Sequence, residues 1–394
     1  MVSKAVVNCF RILFFAATLQ ASNAVSNYNV VDFGAHGDGK TDSTRPFLRA
    51  WLAACRSREP ASVEVPAGSF LVGTIVFNGP CKNEILFQID GTIVAPSDYW
   101  KVGKYGYWIL FSKVKLVTIS GGTIDANGAN FWACRESGRV CPPGARSISF
   151  ERCNNVKVSN LTSMDSQLFH ISVYQSHDLA FENIKAIAPN SSLNTDGIHM
   201  QSVTGITVKG GTIMTGDDCI SMGPGTKNVR IEHIACGPGH GISVGSLAEQ
   251  ANEDGVQNMT VTDAIFTGTQ NGVRIKSWAR PCTGFVKNIV FRNVAMRNAQ
   301  NPIIIDQNYC PDDHDCPHQN SGVKISGVTY KNIKGTSASD IAINFNCSAS
   351  NPCVGLELVD IDLTYLNPPN VETNSTCNHA NGSSSGVVIP QSCF

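Results

Sequence analysis

Net charge is nearly absent from this chain: 30 Lys and Arg stand against 31 Asp and Glu, leaving −1. No basic tract occurs either, so nothing draws nucleic acid in general, and any anionic ligand must be gripped locally. Apolar runs are short. Beyond the first residues none reaches the ~18 needed to cross a bilayer, so the mature protein is expected to be soluble and exported, with no membrane partner. No CxxC motif pairs with a second one, which disfavours a zinc site. Helical periodicity is scarce as well, and it is confined to one stretch near the start.

Cysteine, in contrast, is plentiful. Lys4 and Arg11 flank an apolar run from Ile12 to Leu19, followed by Ser22-Asn23-Ala24. This is the pattern of a secretory signal cleaved after Ala24, giving residues 1–24 as signal and 25–394 as the mature chain. Cys9 lies in the signal, which leaves fourteen of the 15 cysteines, an even number. After export such a count implies disulfides. Short spacings favour Cys310–Cys316 and Cys347–Cys353, with Cys377–Cys393 stapling the tail and Cys219–Cys236 linking neighbouring coils. Pairing stays open for Cys55, Cys81, Cys134, Cys141, Cys153 and Cys282. Six Asn-x-Ser/Thr sequons, at Asn160, Asn190, Asn258, Asn346, Asn374 and Asn381, are candidate glycan sites.

The mature chain opens with a short strand through Tyr28-Asn-Val-Val-Asp-Phe-Gly-Ala, then a turn at Gly34, Gly37 and Gly39. Asp42-Ser43-Thr44 can cap a helix through Phe47, Leu48, Trp51 and Leu52 to Cys55. One buried face is expected, closing the open end of a solenoid. From Val63 to about Leu366 short strands follow one another. A phrase recurs with anchors at Val156, Leu179, Ile206, Val229, Met259, Ile289, Val323 and Leu356. An irregular period of roughly 23 to 34 residues, all strand, is that of a right-handed parallel β-helix, an all-β fold. A β-propeller would need a longer four-stranded repeat. After Asn367 the composition turns to Pro, Asn and Ser, and residues 367–394 read as a disulfide-tied cap or loose extension without chemistry.

Three short runs overlay: Asp196-Gly-Ile198-His-Met200, Asp218-Cys-Ile220-Ser-Met222 and His240-Gly-Ile242-Ser-Val244. A fourth follows at Asn271-Gly-Val273-Arg274-Ile275-Lys276. Each alternates apolar with small or polar residues, the mark of a half-buried strand. Stacked in register, Asp196, Asp218 and His240 form a column with steps of about 4.8 Å. Asp217 and Asp218 are sequence neighbours, so the chain must bend at Gly216 for both to face one cleft. Crowded carboxyls raise one another's pKa, which suits one as general acid and another as base in glycosidic cleavage. Arg274 and Lys276 share the face of His199, Ser221 and Ser243, outward into the cleft, where two cations suit a substrate bearing carboxylates. Their presence disfavours a calcium site. His170, His177, His199 and His233 are read as structural or surface residues. Phe169, Phe181 and Phe291 are read as core, and Tyr309 as a platform for a sugar ring. His314 and His318 belong to a disulfide loop.

The ordered set Asn194-Thr-Asp-Gly, Gly216-Asp-Asp, Gly239-His-Gly and Arg274-Ile-Lys resembles the polygalacturonase family, glycoside hydrolase family 28. The likeness runs from Asp32-Phe-Gly-Ala to Asn301-Pro-Ile-Ile-Ile-Asp-Gln-Asn-Tyr309. It implies a right-handed parallel β-helix and inverting, metal-free hydrolysis of α-1,4-galacturonan in pectin, with no cofactor. By the same resemblance Asp217 is the proton donor, Asp196 and Asp218 activate water, and His240 supports the acid. Arg274, Lys276, Tyr309 and Asn194 would then bind substrate. Thr269-Gln-Asn-Gly-Val-Arg-Ile-Lys276 looks most like the plant pollen-type exo-acting enzymes, some of which are allergens. A secreted, monomeric exo-acting enzyme of the plant cell wall is the expectation. An endo-acting hydrolase, a calcium-dependent lyase and a non-catalytic pectin-binding protein are the rivals.

Overall fold

The computed structural model describes residues 25–311, 314–365 and 371–394, together with residue 2. The expected export signal and the Pro368-Pro369 segment lie outside the described residues. No helix among the described residues is long and apolar enough to cross a membrane.

The chain winds as a right-handed parallel β-helix, in which successive parallel strands of one sheet are joined by crossovers. One face of the coil is an 11-stranded parallel sheet. Along it Ile75, Ile109, Ile148, Ile171, Ile198, Ile220, Ile242, Val273, Ile303 and Ile343 pair in unbroken register. All of them are buried. Side chains alternate across a strand, so this row points into the coil while its neighbours point out. Burying one such residue contributes about 1.5–3 kcal/mol. The overlay of the three runs at Ile198, Ile220 and Ile242 is therefore a real register.

A second sheet carries the recurring anchors: Val156, Leu179, Ile206, Val229, Met259 and Ile289 pair in turn. The next partner is Val328, not Val323 as the sequence pattern suggested, and Leu356 follows it. The reason lies one residue upstream. Asn155, Asp178, Gly205, Asn228, Asn258, Asn288, Gly327 and Gly355 all turn the corner with φ between 56° and 73°. Gly, Asn and Asp tolerate that left-handed conformation best. Gly322 and Gly327 both precede a valine, but Gly327 alone of the two makes the left-handed corner. Side-chain amides tie the corners together, with Asn258 Nδ2 donating to Asn228 Oδ1 (3.0 Å) and Asn288 Nδ2 to Asn258 Oδ1 (3.2 Å).

Both ends of the coil are closed. The first strand is shorter than expected, Ser26–Asn29, and gives way to a 3₁₀ turn. The capping helix spans Thr44–Arg56, and Asp42 Oδ1 rather than the Ser43 hydroxyl accepts from its first turn, at Thr44 N (2.9 Å). Phe47, Ala50, Trp51 and Ala54 are buried, whereas Leu52 is exposed, so the buried face is narrower than the sequence suggested. Trp51 packs on Phe77 and Phe111 at 5.2 and 5.6 Å, and Cys55–Cys81 fastens the helix to the coil. At the other end Asn374–Asn378 and Ala380–Ile389 extend the two sheets as a last coil. The tail is thus ordered, with Phe394 stacked on Phe345.

All four expected disulfides form, joined by Cys55–Cys81 and Cys134–Cys141. The even count does not pair out, because Cys153 and Cys282 are free.

Candidate active site

The column expected from the sequence exists and is longer than expected. Just ahead of the paired strands, backbone bonds run from Ser147 N to Phe169 O (3.0 Å), His170 N to Asp196 O (2.8 Å) and Gly197 N to Asp218 O (2.9 Å). These place Arg146, Phe169, Asp196, Asp218 and His240 in one row across five coils, and the carboxyls of Asp196 and Asp218 depart from strand alternation to reach the outward-facing Ser221, Ser243 and Arg274.

Asp217 and Asp218 precede the strand Ile220–Met222, so strand alternation does not separate them. Asp218 N donates to Asp217 Oδ1 at 2.8 Å, folding the pair into a turn. Gly216 is needed there for a close approach rather than for a special backbone angle: a Cβ would sit 1.9 Å from the Ser192 carbonyl oxygen. Its N–H donates to Thr195 Oγ1 (3.0 Å), locking the Asn194–Asp196 loop against the Asp217–Asp218 loop.

The three carboxyls sit in different surroundings. Asp217 keeps 20 % side-chain exposure and faces His240 Nδ1 at 3.0 Å. Asp218 is buried, with 1 % exposure, and accepts from Ser243 Oγ (2.7 Å), Arg274 Nη2 (2.7 Å) and Lys276 Nζ (2.8 Å). Burial alone would favour its neutral form, but Lys276 and Arg274 outweigh that and hold its pKa at about 2. Asp196 is also buried, and desolvation with the charges of Asp217 and Asp218 pushes its pKa well above the ordinary range. Ser221 Oγ donates to Asp196 Oδ2 at 2.5 Å and lies 2.8 Å from His199 Nδ1. Burial and the nearby Arg146 and Lys276 lower the His199 pKa to about 4, so its ring is neutral at neutral pH.

Arg274 and Lys276 project to the same face, as expected, but their side chains are only 8 % exposed and are bound to Asp218. Their first task is to keep a buried carboxylate ionised. Tyr309 covers them, its ring centre 5.0 Å from Lys276 Nζ and 5.8 Å from Arg274 Cζ, with Trp278 edge-on at 5.4 Å. Asn194 is exposed in a left-handed turn (φ 57°) beside Leu193, Phe131 and Trp132. Phe181 and Phe291 are core. Phe169 is not: it stacks on His199 at 4.4 Å and lines a groove of about 770 Å³ with His199, Gln201, Ser246 and Glu249. His199 is likewise a residue of the site rather than a structural one. The overlay had already put His199, Ser221 and Ser243 on the outward face, and this was the signal that could have assigned them.

Two buried carboxyls in unlike surroundings, a third that is part exposed and a histidine beside it suit a glycoside-cleaving hydrolase on a β-helix. Residues 55–388 match the family model described as glycosyl hydrolases family 28. The chain belongs to that family. It is 51 % identical over 369 residues to a polygalacturonase of Prunus persica, covering 93 % of each chain. It is 39 % identical to an exopolygalacturonase of Platanus acerifolia, covering 94 % of this chain and 98 % of that one. In fold it is similar to an endo-xylogalacturonan hydrolase of Aspergillus tubingensis (TM-score 0.77, 23 % identity, 92 % and 100 % covered). It is similar also to an exopolygalacturonase of Thermotoga maritima (TM-score 0.73, 20 % identity, 86 % of each chain).

Proposed function

We propose that the chain is a secreted polygalacturonase that removes galacturonate from the ends of α-1,4-linked galacturonan chains of pectin, with inversion at the anomeric carbon. The observation that carries the reading is the unequal surroundings of Asp217 and Asp218. Asp217, part exposed and beside His240, gives its proton to the leaving glycosidic oxygen. Asp218, held ionised by Arg274 and Lys276, takes the proton of the attacking water, with Asp196 sharing that water and its proton. The proton taken from water then leaves Asp218 for solvent, and His240 passes one from solvent back to Asp217, which restores the starting state. Inversion is the outcome when a water fits between acid and base.

Action at chain ends is supported by the likeness to exopolygalacturonases of Platanus acerifolia, Oenothera organensis and Zea mays at 39, 41 and 37 % identity. Six disulfides favour an extracellular protein of the plant cell wall, acting as a monomer.

The test is a paired time course on polygalacturonic acid without added calcium, following viscosity and reducing ends. Monogalacturonate accumulating while viscosity barely falls is the expected result. A collapse of viscosity after few cuts would mean internal cleavage, and no new reducing ends from folded protein would end the reading.

A further inference from the structure

Three cations flank the row of acids, and they are not equivalent. Arg274 and Lys276 are both bonded to Asp218 and almost fully buried. Arg146 is different. Its guanidinium makes no hydrogen bond or ion pair among the described residues, and its Nε is buried without a partner. The group lies 5.8 Å over the Phe169 ring, at the wall of the groove. Phe169 in turn stacks on His199, whose neutral ring hydrogen-bonds to Ser221.

A buried guanidinium nitrogen without an acceptor is costly to keep, on the order of 1–3 kcal/mol. Such a group, aimed at a groove, calls for an anionic ligand with oxygens to accept from it. Register gives the distance. Arg146 stands two coils before Asp196 in the row, and adjacent strands lie about 4.8 Å apart. A 1,4-linked pyranose advances by a similar length, so Arg146 falls about two sugar units from the reacting acids. Phe169, between them, offers a ring face to the intervening sugar.

We propose that Arg146 grips the carboxylate of a uronate unit on the side of the cleavage point opposite Arg274, Lys276 and Tyr309, with Phe169 and His199 as the floor beneath that chain. The assignment rests on the polygalacturonase reading and deepens it: it makes Arg146 a residue that selects unesterified substrate. A planar guanidinium donates two parallel hydrogen bonds to a carboxylate, while a methyl ester, uncharged, offers it far less. Glu249, Glu253 and Asp254 also line the groove and would repel a uronate placed beside them, which favours a track along Arg146.

The experiment compares wild type, Arg146→Met and Arg146→Lys on trigalacturonate with free and with methyl-esterified carboxyls. Met keeps the apolar stem over Phe169, and thermal melting checks that each variant folds. Expected for Arg146→Met is a loss of about 10- to 100-fold in kcat/KM on the free acid, chiefly through KM, with partial recovery in Arg146→Lys. Its preference for the free acid over the ester should shrink by a similar factor. Values within two-fold of wild type on both substrates would overturn the assignment. Binding of trigalacturonate to Asp217→Asn, with and without Arg146→Met, reads the subsite without turnover. Wild type failing to hydrolyse while that binding still depends on Arg146 would end the hydrolase reading alone. Hydrolysis by wild type with binding indifferent to Arg146 would end the subsite alone.

Discussion

Lys276 Nζ lies 2.8 Å from Asp218 Oδ2, although 58 residues separate the two in sequence and a full coil lies between them. The contact joins the last motif of the row to its acidic centre. It gives Lys276 a role inside the protein before any substrate arrives.

Removing that amine should cost stability as well as activity. Lys276→Met takes one of two counter-charges from a buried carboxylate, and breaking a buried pair in this way costs about 3–5 kcal/mol. A fall in melting temperature of several degrees is expected, measurable by calorimetry. Asp218→Asn in the same background should recover part of the loss, because the uncompensated charge is then gone.

Asp217→Asn should leave the fold intact and remove the proposed general acid. A drop of about 10²–10⁴-fold or more in kcat on polygalacturonate is expected, with melting within about a degree of wild type. Reducing-end assays and a melting curve check both halves.

Stability should fall toward both acid and alkaline pH, and on the acid side His199 and His170, buried neutral with folded pKa values of about 4 and about 3, lose stability as pH drops below about 6.5. Asp218 has a folded pKa of about 2, below its unfolded value, so its contribution is complete above about 4 and is lost as pH falls through about 2. Asp196 acts oppositely: its folded pKa is raised, so the folded chain binds the extra proton and loses stability as pH climbs above about 4 toward that raised value. Melting temperature against pH should show both limbs, and Asp196→Asn should flatten the alkaline one.

Ser221→Ala removes the hydroxyl that donates to Asp196 at 2.5 Å, a bond that lowers the Asp196 pKa. The acid limb of the kcat profile should then move to higher pH, while Ser221→Thr keeps it nearly in place. An unmoved profile would show that Asp196 does not govern that limb.

Gly216→Ala should inactivate without unfolding the coil. Its Cβ would meet the Ser192 carbonyl at 1.9 Å, forcing apart the loops that carry Asp196 and Asp217. Displacements on this scale cost about 10²-fold in rate.

The coil and the register of its acidic row were legible because they rest on alternation, and Ile198, Ile220 and Ile242 announce that register through it. Asp196, Asp218 and His240 inherit their positions from those isoleucines. What was hidden depends on corners and on distance. Val323 looked like an anchor because valine after glycine is common, whereas only the left-handed turn at Gly327 marks the true one. Cys55–Cys81 was open because its partners, 26 residues apart, meet only through the fold, and Cys134–Cys141, 7 apart, because it ties off a short helix that the strand pattern does not announce. Arg146 and Phe169 were missed because nothing in their local sequence resembles the later motifs. Their membership of the row follows from strand pairing two coils away. Arg274 and Lys276 were placed on the right face, but sequence could not show that Asp218 occupies their donors.

The helix Thr44–Arg56 has a consequence for the molecule's neighbours. A stack of parallel strands ends in a rung of open amides and carbonyls, which a second copy would read as a template for end-to-end growth. Trp51 and Phe47 plug that rung from above, and Cys55–Cys81 keeps the plug from swinging away. The same bond that secures a lid thereby guards one end of the stack: without it, that single rung would lie open to the matching rung of a second copy.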